Sequence, residues 1–185
     1  MIGVTELRKN VTFELDGQLW RVIEYEHYKP GRGNAIIRTR LRNLRTGATI
    51  DRNFLSGERV QDVRLDHRTV QYLYNDGDLF YFMDLETYEQ PALTAKVLGN
   101  AIHYLKEGVT LELSSYKGEP IEIELPTTVD LVVTEAPMAI AGDTATGATK
   151  TVTTETGLKV SVPLFVDEGD TIRVDTRSGE YLTRV

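Results

Sequence analysis

EGDTIRVDTRSGEYL (residues 168–182) decides how the fold is read, because EGVTLELSSYKGEPI (107–121) repeats it at an offset of 61. Glu107, Gly108, Thr110, Gly118 and Glu119 recur as Glu168, Gly169, Thr171, Gly179 and Glu180. Leu111, Leu113 and Ile121 meet Ile172, Val174 and Leu182. Each copy reads as turn, alternating strand, turn, strand. Each also closes a unit of about 60 residues, one ending near Pro126 and the other at Val185. Five identities in fifteen could be convergent hairpin chemistry, but the shared unit length favours one small unit used twice.

The rest of the chain is punctuated in the same way. Asp16-Gly17, Thr46-Gly47, Asp76-Gly77, Lys117-Gly118, Thr156-Gly157 and Ser178-Gly179 mark turns. Between the turns lie β-rich runs such as LWRVIEY, IEIEL and TIRVDT. Short strands at this spacing indicate small barrels or sandwiches. Only ALTAKVLGNAIHYL (92–105) has helical character, and Gly99 weakens it. The reading is all-β, in three modules: 1–64, then 65–127 and 128–185 as two copies of a five-stranded, OB-type barrel.

Composition narrows the chemistry. With 41% apolar residues the chain can build real cores. It has no cysteine, which excludes disulfides, thiolate metal sites and a cysteine nucleophile. His27, His67 and His103 share no ligand spacing, so no metal site is expected. The N-terminus lacks the form of a signal peptide, and no apolar run is long enough to span a membrane. A cytoplasmic protein, without membrane contact and monomeric, is the expectation.

The net charge of −7 argues against nucleic acid, but its distribution does not. Residues 29–59 hold 8 basic and 2 acidic side chains, while the remainder is acidic. One basic end on an acidic molecule suits an oriented contact with a polyanion, although from charge alone simple unevenness of the surface is the better explanation.

The basic end has a pattern. In VIEYEHY (22–28), alternation places Ile23 and Tyr25 on one face and Glu24 and Glu26 on the other. In AIIRTRLRNL (35–44), Ile37, Thr39 and Leu41 face one way, and Arg38, Arg40 and Arg42 the other. The segment between, residues 29–34, becomes a hairpin loop of Lys29, Pro30, Gly31, Arg32, Gly33 and Asn34, with Arg32 at the tip. On spacing alone, a solvated strand face partly neutralised by Glu24 and Glu26 is the simpler reading. The alternative is a slim tip that delivers one planar donor into a narrow cleft, with the basic strand behind it on a polyanion's backbone.

At this point the chain resembles a known family, bacterial elongation factor P. TTETGLKVSVPLFVDEGDTIRVDTRSGEY (153–181) is similar to that family's C-terminal signature. QYLYNDGDLFYFMDLETYEQ (71–90), NLRTGATIDRNFLSGERV (43–60) and KPGRGNA resemble its other two domains. The resemblance implies a KOW/SH3-like barrel followed by two OB barrels in an L-shaped, tRNA-like arrangement. It implies binding to both ribosomal subunits between the P and E sites, and relief of stalling at consecutive prolines. The tip would position the CCA end of peptidyl-tRNA while catalysis stays with the ribosome.

The resemblance also assigns residues. Arg32 stands where family members carry lysine or arginine. Arginines there are rhamnosylated in some members, which would call for an Arg32-modifying glycosyltransferase, while other members work unmodified. Gly142, Asp143 and Thr144 match a loop facing mRNA at the E site; by themselves they read as a plain turn. Tyr181 and Arg184 fall where the family contacts the small subunit or tRNA; by themselves they read as a barrel tyrosine and a solvated charge. No cofactor and no catalytic residue are implied. Two other readings stand beside this one: a paralogue that serves other stall contexts, and a hydrolase built on Asp84 and Glu86. For the latter pair, which would share a strand face, a solvated sheet surface is the better explanation.

Overall fold

In the computed structural model, which describes residues 1–138 and 148–185, alternating strands form three sheets. The first contains β1 (Ile2–Gly3), β2 (Thr12–Leu15), β3 (Gln18–Tyr28), β4 (Ile36–Asn43), β5 (Thr49–Leu55) and β6 (Arg59–Asp62), in the order β1-β6-β2-β3-β4-β5. Strand β4 alternates as its sequence dictates: Ile37, Thr39 and Leu41 are buried, and Arg38, Arg40 and Arg42 are exposed. Val4, Leu7, Phe13, Val22, Ile37, Leu41, Phe54 and Val60 make the core, with Phe13 edge-on to Phe54 at 6.2 Å.

Strand β3 departs from simple alternation. Val22 is fully buried, while Ile23, expected on the inner face, is only half-buried. The register slips by one between Val22, opposite Leu41, and Glu24, opposite Arg40. A bulge spends one residue without a partner, so the in-out count restarts after it. Ile23 is that residue, and Tyr25 shares its face with Val22 instead.

The second sheet contains β7 (Asp66–Asn75), β8 (Leu79–Asp84), β9 (Ala92–Thr94), β10 (Thr110–Tyr116) and β11 (Glu119–Glu124), ordered β11-β10-β7-β8-β9. The third contains β12 (Thr128–Glu135), β13 (Thr149–Thr154), β14 (Lys159–Pro163), β15 (Thr171–Asp175) and β16 (Tyr181–Arg184), ordered β14-β13-β12-β15-β16. Numbered within each sheet, both orders are 5-4-1-2-3. The first strand of each carries a bulge, at Tyr72–Tyr74 and at Val133–Glu135, separated by the same offset as the sequence repeat. Beside the bulges the backbone bonds also coincide: Tyr72 N–H donates to Val109 O at 2.8 Å, and Val133 N–H to Asp170 O at 2.8 Å. Gly108 N–H returns to Tyr72 O, and Gly169 N–H to Val133 O. The all-β reading and the two copies of one barrel are therefore structural facts.

The helical stretch anticipated within 92–105 is present but divided. The α-helix α1 spans Ala95–Leu98 and is capped by Thr94, whose Oγ1 accepts from Val97 N–H at 3.4 Å. Gly99, at φ 54, then breaks it into a 3₁₀ segment, Gly99–Tyr104.

Packing divides the chain into two compact units, Met1–Asp66 with Ser115–Ile121, and His67–Ser114 with Glu122–Val185. In the first, Arg45 forks onto Glu119 at 3.2 and 3.1 Å, and Tyr116 Oη donates to Glu14 at 3.0 Å. In the second, Tyr104 leaves the 3₁₀ segment to join the core of Val129, Leu131, Val133, Val152, Val160, Val162, Val166, Ile172 and Val174. Lys106 Nζ donates to Asp130 O at 3.0 Å, and Thr156 Oγ1 to His103 O at 2.5 Å.

Asp84 corrects an expectation. It is buried at 3% exposure rather than lying on a solvated sheet face. Its carboxylate accepts from Glu86 N–H at 2.8 Å, Thr87 N–H at 3.1 Å and Arg68 at 2.9 Å. Strand β8 ends at Asp84, so Glu86 lies in the turn that this carboxylate organises and not on a shared strand face. The Arg68 bond, followed by the two turn amides, lowers the Asp84 pKa to about 2. Because the folded-state value lies below the ordinary one, the stabilisation is complete above about pH 4 and disappears as pH falls through 2. Thermal unfolding scans should show wild-type stability falling between pH 4 and 2 more steeply than that of Asp84→Asn, which is less stable at neutral pH.

The repeated glycines give a matched comparison. Gly118 and Gly179 have φ of 81 and 75. A Cβ at Gly118 meets open space, whereas one at Gly179 lies 3.2 Å from Tyr104 Oη. Alanine at either position costs about 1–2 kcal/mol for the left-handed backbone. Denaturant unfolding should show a larger loss for Gly179→Ala than for Gly118→Ala, and Tyr104→Phe should narrow the difference.

Candidate nucleic-acid interface

Strands β3 and β4 extend together toward the loop at 29–34. Beyond Val22, among the described residues, β3 pairs with β4 alone, from Glu24↔Arg40 to Tyr28↔Ile36. Its free edge carries Glu24 and Glu26, charges that discourage edge-to-edge pairing. Lys29, Gly31, Arg32, Gly33 and Asn34 are exposed, and Pro30 is half-buried. Gly33 has φ 104, which a side chain rarely adopts, so the turn itself requires glycine there. Gly31 differs: its φ is not positive, and a Cβ would meet nothing within 4 Å. The turn does not require glycine at 31. Arg32, between them, makes no ion pair among the described residues.

Behind the tip, Arg38, Arg40 and Arg42 share the outer face of β4, but their surroundings differ. Arg38 lies 3.8 Å from Glu26 and over the Tyr28 ring, 4.6 Å from its centroid. Arg40 is held by Asp51 at 3.0 Å and Glu24 at 3.6 Å. Arg42 stands opposite Arg21 across the ladder and forms no ion pair among the described residues. The neutralisation by Glu24 and Glu26 anticipated from spacing is present, and Asp51 adds to it from β5. Tyr28 was outside the alternation argument. Its signal was available, because residues diagonal across a ribbon touch when one is aromatic.

The remaining candidates lie elsewhere. Tyr181 and Arg184 both sit on β16. Tyr181 packs partly against the third core. Arg184 lies over the Phe165 ring, 5.0 Å from its centroid, and 3.6 Å from Asp170. Gly142, Asp143 and Thr144 lie outside the described residues. Among the described residues no group of His, Asp and Glu is arranged to hold a metal ion, and no helix is long and apolar enough to cross a membrane.

Comparison with known proteins assigns the fold to a family. Residues 3–60 match the elongation factor P KOW-like domain, 65–123 the elongation factor P OB domain, and 129–184 the elongation factor P C-terminal domain. Elongation factor P of Moorella thermoacetica is 50% identical over 184 residues, covering 100% of both chains. That of Carboxydothermus hydrogenoformans is 49% identical over 185 residues, again covering 100% of both. Two solved structures share the fold at low identity. Eukaryotic translation initiation factor 5A from Methanococcus jannaschii has a TM-score of 0.55 at 23% identity, covering 68% of this chain and 90% of its own. A translation initiation factor eif-5a family protein from Naegleria fowleri has a TM-score of 0.51 at 15% identity, covering 67% and 96%. With three consecutive domain matches and about half its residues shared with full-length relatives, this chain belongs to the elongation factor P family of translation elongation factors.

Proposed function

We propose that the protein binds the ribosome between the P and E sites and relieves stalling at consecutive prolines, with Arg32 positioning the CCA end of peptidyl-tRNA. The observation that carries this reading is Gly31. Neither backbone conformation nor internal packing calls for glycine there, so a side chain is absent beside Arg32 where the fold itself would accept one. A tip that enters a narrow RNA-lined centre needs such clearance. Arg32 supplies a fork of donors suited to phosphate and base edges, and among the described residues no carboxylate pairs with it. Holding one reactant in an attack geometry accelerates a reaction without chemistry by the factor itself.

The other contacts follow the same reading. Arg42, with Arg38 and Arg40 behind it, lies along the tRNA backbone. Tyr181 and Arg184 meet the small subunit or tRNA, and Gly142, Asp143 and Thr144 approach mRNA at the E site. The protein works as a cytoplasmic monomer without a cofactor. Arg32 acts either bare or rhamnosylated by a dedicated glycosyltransferase, and its exposure leaves it open to such an enzyme.

Two measurements test this function. In reconstituted synthesis of a Pro-Pro-Pro peptide, Arg32→Ala should fold and bind ribosomes but fall to the rate seen without the factor. Gly31→Ala should keep or raise stability, by up to about 1 kcal/mol from reduced freedom of the unfolded chain, and still lose rescue. Full rescue by both variants would refute the tip model. Intact mass of the protein purified from its native host should show one added deoxyhexose, lost in Arg32→Lys, if the sugar is present; the unmodified mass means that Arg32 acts bare.

A further inference from the structure

The β3–β4 ribbon has a second face, opposite the arginine row. Tyr25, Thr39 and Arg52 are direct ladder partners, Tyr25↔Thr39 and Thr39↔Arg52, so all three point to the same side. Arg8, from the loop before β2, places its guanidinium over the Tyr25 ring, 5.3 Å from the centroid. Arg52 lies over the Phe54 ring at the same distance, 5.3 Å. His27, exposed, is next along this face, opposite Ile37. Tyr25 is 41% exposed, and Thr39 beneath it is buried, donating to Arg52 O at 2.7 Å.

What holds these arginines sets them apart from the row. Arg38 and Arg40 are held by Glu24, Glu26 and Asp51, whose charges offset theirs. Arg8 is held by the Thr5 and Leu7 carbonyls, at 2.9 and 2.7 Å, and by an aromatic ring. Arg52 is held by an aromatic ring. Among the described residues neither forms an ion pair. Carbonyls and ring faces orient a cation without cancelling it. The face with fewer arginines therefore keeps more of its positive charge, and moving an arginine from a carboxylate to a phosphate gains little net attraction.

We propose that Arg8 and Arg52, oriented by Tyr25 and Phe54, form a second site for an RNA phosphodiester backbone on the face of the ribbon opposite Arg38, Arg40 and Arg42. Two strand spacings separate the Cα atoms of Tyr25 and Arg52, about 10 Å. The two guanidinium groups lie over different rings, Arg8 over Tyr25 and Arg52 over Phe54, so each is offered to its own phosphate. With one backbone contact on either face, the ribbon is gripped from both sides and its tip is aimed more narrowly than by one row alone. This rests on the reading that the factor works against RNA on the ribosome.

The test is the salt dependence of binding to ribosomes that carry peptidyl-tRNA. The double variant Arg8→Met/Arg52→Met keeps an aliphatic side chain over the Tyr25 and Phe54 rings but removes both charges. Each lost phosphate contact lowers the slope of log K against log salt by about 0.7–0.9, so the slope should become shallower by about 1.4–1.8. Arg8→Lys/Arg52→Lys keeps the charges and should restore most of the slope, which separates charge from packing if the methionine variant is also less stable. An unchanged slope in the methionine variant, whatever happens to affinity, overturns the proposal. So does a lysine variant that behaves like the methionine one. Wild-type protein that fails to bind these ribosomes would instead refute the ribosomal reading itself.

Discussion

The antiparallel pairing of β3 with β4 is the contact on which the first barrel and its candidate site both depend. Its hydrogen bonds fix which residues oppose each other, and the pleat then sends alternate side chains to opposite sides. Inside the barrel that alternation buries Val22, Ile37 and Leu41. Toward the loop the same alternation sorts Arg38 and Arg40 to one face and Tyr25 and Arg52 to the other. A slip of one residue would exchange core and surface along the whole strand, so burial of the hydrophobic set enforces the register. The bulge at Val22–Glu24 is the one place where the register is deliberately shifted. It keeps Val22 in the core and turns Tyr25, not Ile23, to the inner side.

The second unit shows the same economy used twice. A strand that must bend around a small barrel needs a local irregularity, and both barrels put it at the same place in their first strand. The glycine turn that answers the bulge is part of the repeated sequence, which explains why Glu107-Gly108 and Glu168-Gly169 recur while the intervening side chains drift. Small barrels bury little surface on their own. Tyr104, contributed to the neighbouring core, and the bonds from Lys106 and Thr156 make two marginal barrels into one unit.

Electrostatics shows where counting charges misleads. The excess of basic residues over 29–59 is real, yet it does not say which arginines are available to a polyanion. Asp51 lies within that segment, and Glu24 and Glu26 just before it. Strand pairing brings all three against Arg38 and Arg40. Among the described residues Arg32 and Arg42 form no ion pair and keep their charge, and Arg8 and Arg52 keep theirs because rings hold them instead. Asp84 teaches the same lesson in reverse: beside Glu86 in sequence it resembles half of a carboxylate pair, but three donors converge on it and make it the anchor of a turn.

By itself the sequence determined the all-β class, the repeated barrel, the hairpin with Arg32 at its tip, and the alternation that aligns Arg38, Arg40 and Arg42. These are consequences of local chemistry: turn residues, period-two patterning and a repeat legible at a constant offset. Tertiary structure decided the bulge that displaced Ile23, the burial of Asp84, the pairing of Arg40 with Asp51, and the approach of Arg8 to Tyr25. Each of these depends on residues brought together from separate segments, and no periodicity within one strand encodes its neighbour's register. Gly31 shows both levels at once. Its identity was plain in the sequence, but only the open space around its Cα position showed that the fold does not demand it.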